Sequence, residues 1–435
     1  MGPSRPFAFS SGGILFLVLV LFLLGASHRL GGQEVYTLHD CINIALQHNR
    51  DVKVAKLRIR SALSEKKGAL SAILPTLSYT EGYSNQGSYS NPQFGIPIPK
   101  SEFHSAGLYV NQNIFDGGKW WNQISSARNS FELGVQSERN TEVTVVLQVK
   151  KAFYQYLKDL QLLEVAKQSV DLAEQQVELV KHQYEVEAVA RSDLLKQEVR
   201  LGEMRVEYLN QRTAVKNSFN QLANVMGLGL DSRFEVVDPS SVKPLDVLLE
   251  EMAKDNLALA AKRAQITGSQ LRVKIARAGY LPTLSASLSY DGFADIFDDL
   301  YADLDKNWRR QFRLSVSYPL FTGLSQSSQV EKAKVEHRIQ QEEYHGLEND
   351  LRVQLDMTLR QLGNLKEMIP IFEETKKAAD EDLRLARERY NLGAATILDV
   401  LDAQVSVARA NSSLVRAIYD EKILRAELDA LMGKM

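Results

Sequence analysis

The chain has 435 residues, 44% hydrophobic and 24% charged, with a formal net charge of −2. That length allows large cores, and the near-neutral charge excludes a nucleic-acid partner. A single cysteine, Cys41, excludes an intrachain disulfide, so packing and assembly must hold the fold.

Arg5 precedes an apolar run over residues 14–24, which Gly25-Ala26-Ser27 closes. A positive residue, a short apolar stretch and then small residues make residues 1–27 a secretory signal peptide. The run falls short of the roughly 20 residues that span a bilayer as a helix. Cys41 lies too far downstream to serve as a lipid anchor. No later segment has the apolar length of a transmembrane helix, so the exported chain is expected to be either soluble or a barrel.

From here the sequence is written twice. Leu-Pro-Thr-Leu-Ser stands at residues 74–78 and again at 281–285, and Phe115-Asp116-Gly117 is answered by Phe321-Thr322-Gly323. Tyr184 matches Tyr390, Asp193 matches Asp399, Leu195 matches Leu401, and Val225-Met226-Gly227 matches Leu431-Met432-Gly433, all 206 positions apart. Such constant spacing marks a duplication of the whole unit. We read a first repeat over 36–227, a linker over 228–244 marked by Pro239 and Pro244, and a second repeat over 245–433.

Each repeat opens with short helices, predicted over 38–47 and 51–72 and again over 245–254 and 257–277. Strands follow, over 74–84 and 106–116 in the first repeat and 281–291 and 311–321 in the second. In the second pair Leu284, Ala286, Leu288 and Tyr290 alternate with serines, and Phe312, Leu314 and Val316 alternate with Arg313 and Ser315. Leu77 and Tyr79, then Leu108, Val110 and Ile114, alternate in the same way with polar neighbours. Period two gives each strand an apolar and a polar face, and the strand lengths approach those that cross a bilayer at a tilt. A soluble sheet packed on its own helices would also alternate. Long polar loops over 84–105 and 291–310 suit the outer end of a barrel.

Four strands cannot close a barrel, because edge groups facing lipid would stay unpaired at several kcal/mol each. The chain must therefore share one. Two copies would supply eight strands and three would supply twelve, and the strand pattern does not choose between them.

Long helices follow, predicted over 118–187 and 323–392, with returning helices over 192–226 and 396–432. In the first, Val146, Val149, Phe153, Tyr156, Leu160 and Leu163, then Ala166, Val170, Ala173, Val177, Val180 and Tyr184, recur at steps of three and four. This is a coiled-coil seam on a rod of roughly 100 Å. Pro370, where the first repeat has Glu164, predicts a kink in the second rod.

At the second helix turn stands Tyr390-Asn391-Leu392-Gly393-Ala394-Ala395-Thr396-Ile397-Leu398-Asp399-Val400-Leu401-Asp402-Ala403. Together with the duplicated plan, this resembles the TolC family of outer-membrane efflux proteins over roughly residues 36–433. The resemblance implies a mainly α fold with membrane β structure: a homotrimeric twelve-strand β-barrel in outer-membrane lipid, continued by a twelve-helix α-barrel across the periplasm. It also implies a periplasmic adaptor, an inner-membrane pump or transporter, and passive exit through a gate at the helix tips. By motif position Asp399 and Asp402 match the gate carboxylates, and Asp193, Gln176 and Tyr390 match the network that links neighbouring helices. Ala395 stands where the family's network has an arginine, and Arg191 is the candidate substitute. The tip that an adaptor would grip comprises Gly393, Ala394, Ala395, Thr396, Ala188 and Ala190. Selectivity in such assemblies lies upstream, so drugs, metals and secreted polypeptides stay open as cargo.

Local chemistry offers a second role for Asp399, since Thr396 followed by Asp399 is a capping box. Tyr390 suits core packing as well as a gate contact. Glu187 replaces Gly393 in the first repeat, so that turn is expected to differ in shape. His337 and His345 flank Glu342 and Glu343 without a ligand spacing, and Ser64-Glu65-Lys66-Lys67 lacks the companions of a serine acylase. No enzyme and no cofactor is expected. The rival to a channel is an exported structural coiled-coil protein of the envelope.

Overall fold

The structure, a computed structural model, describes residues 34–90, 97–98, 101–229, 234–236, 256–302 and 304–434. The signal peptide, the helix predicted over 245–254 and most of the linker lie outside the described residues.

In the first repeat β1 (Glu34–Tyr36) leads into α1 (Leu38–His48) and α2 (Arg50–Gly68), and a 3-10 turn follows over Ala69–Ile73. Next come β2 (Thr76–Gln86), the short β3 (Tyr89–Ser90) and β4 (Pro97–Ile98), β5 (Ser101–Asp116), α3 (Lys119–Glu185) and α4 (Arg191–Met226). After β6 (Phe234–Val236), the second repeat contributes α5 (Leu257–Ala278), β7 (Thr283–Ala294), α6 (Phe297–Ala302), α7 (Leu304–Asn307), β8 (Trp308–Ser317), α8 (Ser325–Asn391) and α9 (Ile397–Leu431). Among the described residues no helix is long and apolar enough to cross a membrane.

Both repeats are rooted in the same way. Asn49 and Asn256 cap α2 and α5 through their side-chain oxygens. Each also donates its amide to a carbonyl at the end of a long hairpin, Val225 at 2.7 Å and Leu431 at 2.9 Å. Around these bonds lie matching cores: Val52, Val149, Leu222 and Met226 in one repeat, and Leu259, Leu355, Leu428 and Met432 in the other. Burial next to the first root pushes the Cys41 thiol up to about 12, which leaves it an inert core residue.

The rods α3 and α8 have 67 residues each, or about 100 Å at 1.5 Å per residue. Helix α8 passes through Pro370 as one element. A left-handed turn at Gly117 (φ 70°) and Gly118 (φ 81°) separates β5 from α3. A Cβ at Gly117 would meet the Ala278 carbonyl at 2.7 Å, so that hinge needs glycine. The two hairpins join side by side through Lys158–Asp420 at 2.9 Å and Lys150–Asp429 at 3.4 Å. Those pairs set α3 antiparallel to α9. The buried stripe of α3 departs from the predicted seam near its end: Tyr184 is 39% exposed, whereas Gln176 is buried with Ala173 and Val180. A helix with neighbours on several sides buries a wider face than a two-stranded seam.

One antiparallel sheet runs β2-β5-β7-β8. Its strands differ from the predicted spans at their outer ends, where pairing carries β2 to Gln86 and starts β5 at Ser101. Strand β7 reaches Ala294 and β8 begins at Trp308, and α6 and α7 occupy half of what was expected to be a polar loop. Strand β8 stops at Ser317 rather than continuing to 321, because Pro319 has no N–H to donate to a ladder.

Register puts Leu77 beside Val110, Val110 beside Leu288, and Leu288 beside Phe312. That apolar face looks outward, with Leu77, Phe312 and Val316 each about 70% exposed. The polar face is concave and holds a hollow of about 570 Å³ lined by Thr76, Asn111, Ser287, Arg313 and Ser315.

Candidate functional site

The hairpin tips lie at the far end of the rods from the sheet. At the first tip Glu187 N donates to Tyr184 O at 2.9 Å and Ala188 N to Gln183 O at 2.8 Å. At the second, Gly393 N donates to Tyr390 O at 2.9 Å and Ala394 N to Arg389 O at 2.8 Å. Both bond pairs close a helix end in the same left-handed motif. Glu187 takes φ 62° and Gly393 φ 71°. The expected difference in shape is therefore corrected: the first turn keeps the geometry although its residue has a Cβ, because the same two bonds impose it.

The caps after the turns do differ. Thr396 accepts the Asp399 N–H at 3.4 Å, and Asp399 Oδ2 accepts from Thr396 N at 2.7 Å and from its hydroxyl at 2.8 Å. The backbone N–H of Thr396, then its hydroxyl, hold the Asp399 carboxyl below the usual carboxylate range. In the first tip the cap is Ala190, which has no side-chain acceptor. Asp193 is free of that duty, and its Oδ1 takes Lys196 Nζ at 3.3 Å.

Asp402, on the same face as Asp399, is exposed. Its carboxylate makes no hydrogen bond among the described residues, and its backbone carbonyl accepts from the Ser406 hydroxyl. Tyr390 is half-buried against Leu383, Ala386, Val400 and Ala403, and its hydroxyl donates to Gln183 of the other hairpin. Burial raises the Tyr390 phenol, and the Asp193 carboxylate adds to the rise. Tyr390 thus combines packing with a polar contact to the other hairpin, and the field of Asp193 reaches it. Gln176 does not join them. Its amide nitrogen is buried without a partner among the described residues, as are those of Gln197 and Gln404.

The sequence reading missed Gln183, Gln197 and Gln404. Gln183 lies seven residues after Gln176, one heptad along the same stripe, and that spacing was the available signal. Arg191 is exposed and makes no ion pair among the described residues. Of the predicted adaptor surface, Gly393, Ala394, Thr396, Ala188 and Ala190 are exposed and Ala395 is half-buried. Next to them Val186 and Leu392 are 74% and 82% exposed. His337 bonds Ser269 at 2.8 Å, and no group able to hold a metal ion occurs among the described residues.

A sheet whose β2 and β8 edges are unpaired among the described residues, with an apolar outer face and helical rods ending in paired tips, defines an envelope protein that joins a membrane part to a long extension. The Campylobacter jejuni CmeC outer membrane channel shares the fold, with TM-score 0.85 and 16% identity over 91% of this chain and 85% of that one. Outer membrane protein TolC of Vibrio cholerae is 22% identical over 84% of this chain and 83% of its own. Toluene efflux pump outer membrane protein TtgC of Pseudomonas putida is 22% identical over 87% and 79%. The family of outer membrane efflux proteins matches residues 41–228 and 248–434. The chain belongs to that family, and it is an outer-membrane protein with a periplasmic extension.

Proposed function

We propose that three copies close a twelve-strand barrel through their β2 and β8 edges, and that the rods form a twelve-helix tunnel beneath it. The assembly is a passive exit duct for a tripartite efflux or type I secretion system, gated at its periplasmic tips. The observation that carries this reading is the sheet: its outward face is apolar and exposed, its concave face is polar, and both edges are unpaired. Edges like these are tolerated in lipid only when another chain completes them.

Asp402 supplies the gate charge most directly, since its carboxylate has no local duty. Asp399 adds charge on the same face while it caps α9. Asp193, Gln176 and Tyr390 belong to the contacts that hold the tips together. Gly393, Ala394, Ala395 and Thr396, with Ala188 and Ala190, form the surface for a periplasmic adaptor, whose partner in the inner membrane supplies the energy.

Conductance of the purified oligomer in a planar bilayer tests the proposal. Stable steps, small at rest and enlarged in Asp399→Ala with Asp402→Ala, are expected when repelling charge leaves a constriction. Inserted oligomers that never conduct would remove the duct, and equal steps in the double variant would remove the gate assignment.

A further inference from the structure

The concave face of the sheet is built from small neutral residues with few exceptions. One row across it reads Thr76, Asn111, Ser287, Arg313, and the next reads Ser78, Tyr109, Ser289, Gln311. Arg313 is exposed and forms no ion pair among the described residues.

Two carboxylates lie on the same face of the sheet, and each has a nearer cation than Arg313 to balance its charge. Asp291 is buried, and its two oxygens accept from Arg309 at 3.0 Å and Ser289 at 2.9 Å. It pairs across with Arg309, four residues along β8 from Arg313, or about 13 Å at strand rise. Asp116, at the lower end of β5, accepts the Trp120 N–H with both oxygens at 3.1 Å. Asp116 and Lys119 both line the hollow that Arg313 borders, so their charges offset one another and Arg313 is left as the unbalanced one.

Closure with another copy does not change this. The strand that would meet β8 is β2, whose polar face carries Thr76, Ser78, Thr80, Gly82, Ser84 and Gln86. No register of that face can bring a carboxylate to Arg313, because period two fixes which residues point inward. Glu81, on the other face, accepts from Tyr79.

We infer that Arg313 forms a guanidinium ring inside the closed barrel, which makes the membrane part of the duct prefer anionic permeants bearing carboxylate or phosphate groups. The inference rests on the barrel reading above. Like charges crowded into a lumen with low-dielectric walls focus their field on passing ions. The planar fork of arginine suits carboxylate and phosphate oxygens in particular.

The test is the reversal potential of single channels under a salt gradient, in the Asp399→Ala, Asp402→Ala background so that the two gate carboxylates do not set the selectivity. Arg313→Gln is expected to raise the cation-to-anion permeability ratio by about twofold or more, and Arg313→Lys is expected to retain the parent ratio. An unchanged ratio in Arg313→Gln, with steps of parent size, would overturn the inference. Equal shifts in the Gln and Lys variants would also overturn it, since shape rather than charge would then be responsible. Absence of any steps from inserted parent oligomers would instead sink the barrel itself.

Discussion

The two repeats agree bond for bond where their hairpins are rooted and differ where their hairpins end. Asn49 and Asn256 make the same cap and the same buried bond to the opposite helix end, inside cores with matching positions. At the tips the turn is again the same, but Ala190 faces Thr396 in the cap position and Glu187 faces Gly393 in the turn. Roots are closed within one chain, so any change there leaves a buried polar group exposed to nothing. The tips face outward, so their side chains can change as long as the backbone bonds survive.

The sharpest way to break the first half of this comparison is to remove each root. Asn49→Ala and Asn256→Ala each lose a helix cap and orphan a buried carbonyl, at a cost of about 2 kcal/mol. Thermal unfolding of the detergent-extracted protein should fall by a similar amount for both. A loss confined to one variant would show that the roots are alike in geometry only.

The second comparison lies in the turns. Gly393→Ala places a Cβ in the left-handed region and should weaken the second tip by about 1.5 kcal/mol. Glu187→Gly relieves the same strain at the first tip, and the gain is smaller because glycine also loosens the unfolded chain. Amide exchange over residues 184–194 and 390–400 reads each tip separately. Exchange in Gly393→Ala as fast as in an open loop would refute the view that the bonds, rather than the residue, dictate this turn.

These cases also show how much the sequence could reveal. The strands were legible because alternation needs only neighbours in the chain. Their outer ends were not, since pairing with a strand from the other repeat, as between Ser105 and Phe293, continues past the last alternating residue. Gly393 announced its turn. Glu187 concealed the equivalent one, because hydrogen bonds to the carbonyls of His182, Gln183 and Tyr184 close the helix whatever side chain follows. The Thr396–Asp399 cap was readable from spacing alone. Gln183 had only its heptad spacing from Gln176 to announce it, because its partner Tyr390 lies in the other repeat. Likewise the burial of Gln197 and Gln404 is set by neighbouring helices rather than by the local pattern.

The smallest expected effects separate the two caps. Thr396→Ala should cost about 1 kcal/mol, and Ala190→Thr should return about half that by giving Asp193 the partner that Asp399 has. Acid provides the control. The folded-state pKa of Asp399 is depressed, so its contribution is fully present above the unfolded carboxylate pKa and is lost as pH falls through the folded value. Amide exchange at the second tip should therefore accelerate on acidification, after correction for intrinsic rates, while the first tip of the parent protein lacks this cap-dependent response. In Ala190→Thr the first tip should acquire the same acid sensitivity. If it gains protection without that sensitivity, the new hydroxyl is working without the carboxylate. The difference between the tips would then lie in the threonine alone, and Asp399 would be free to serve the gate.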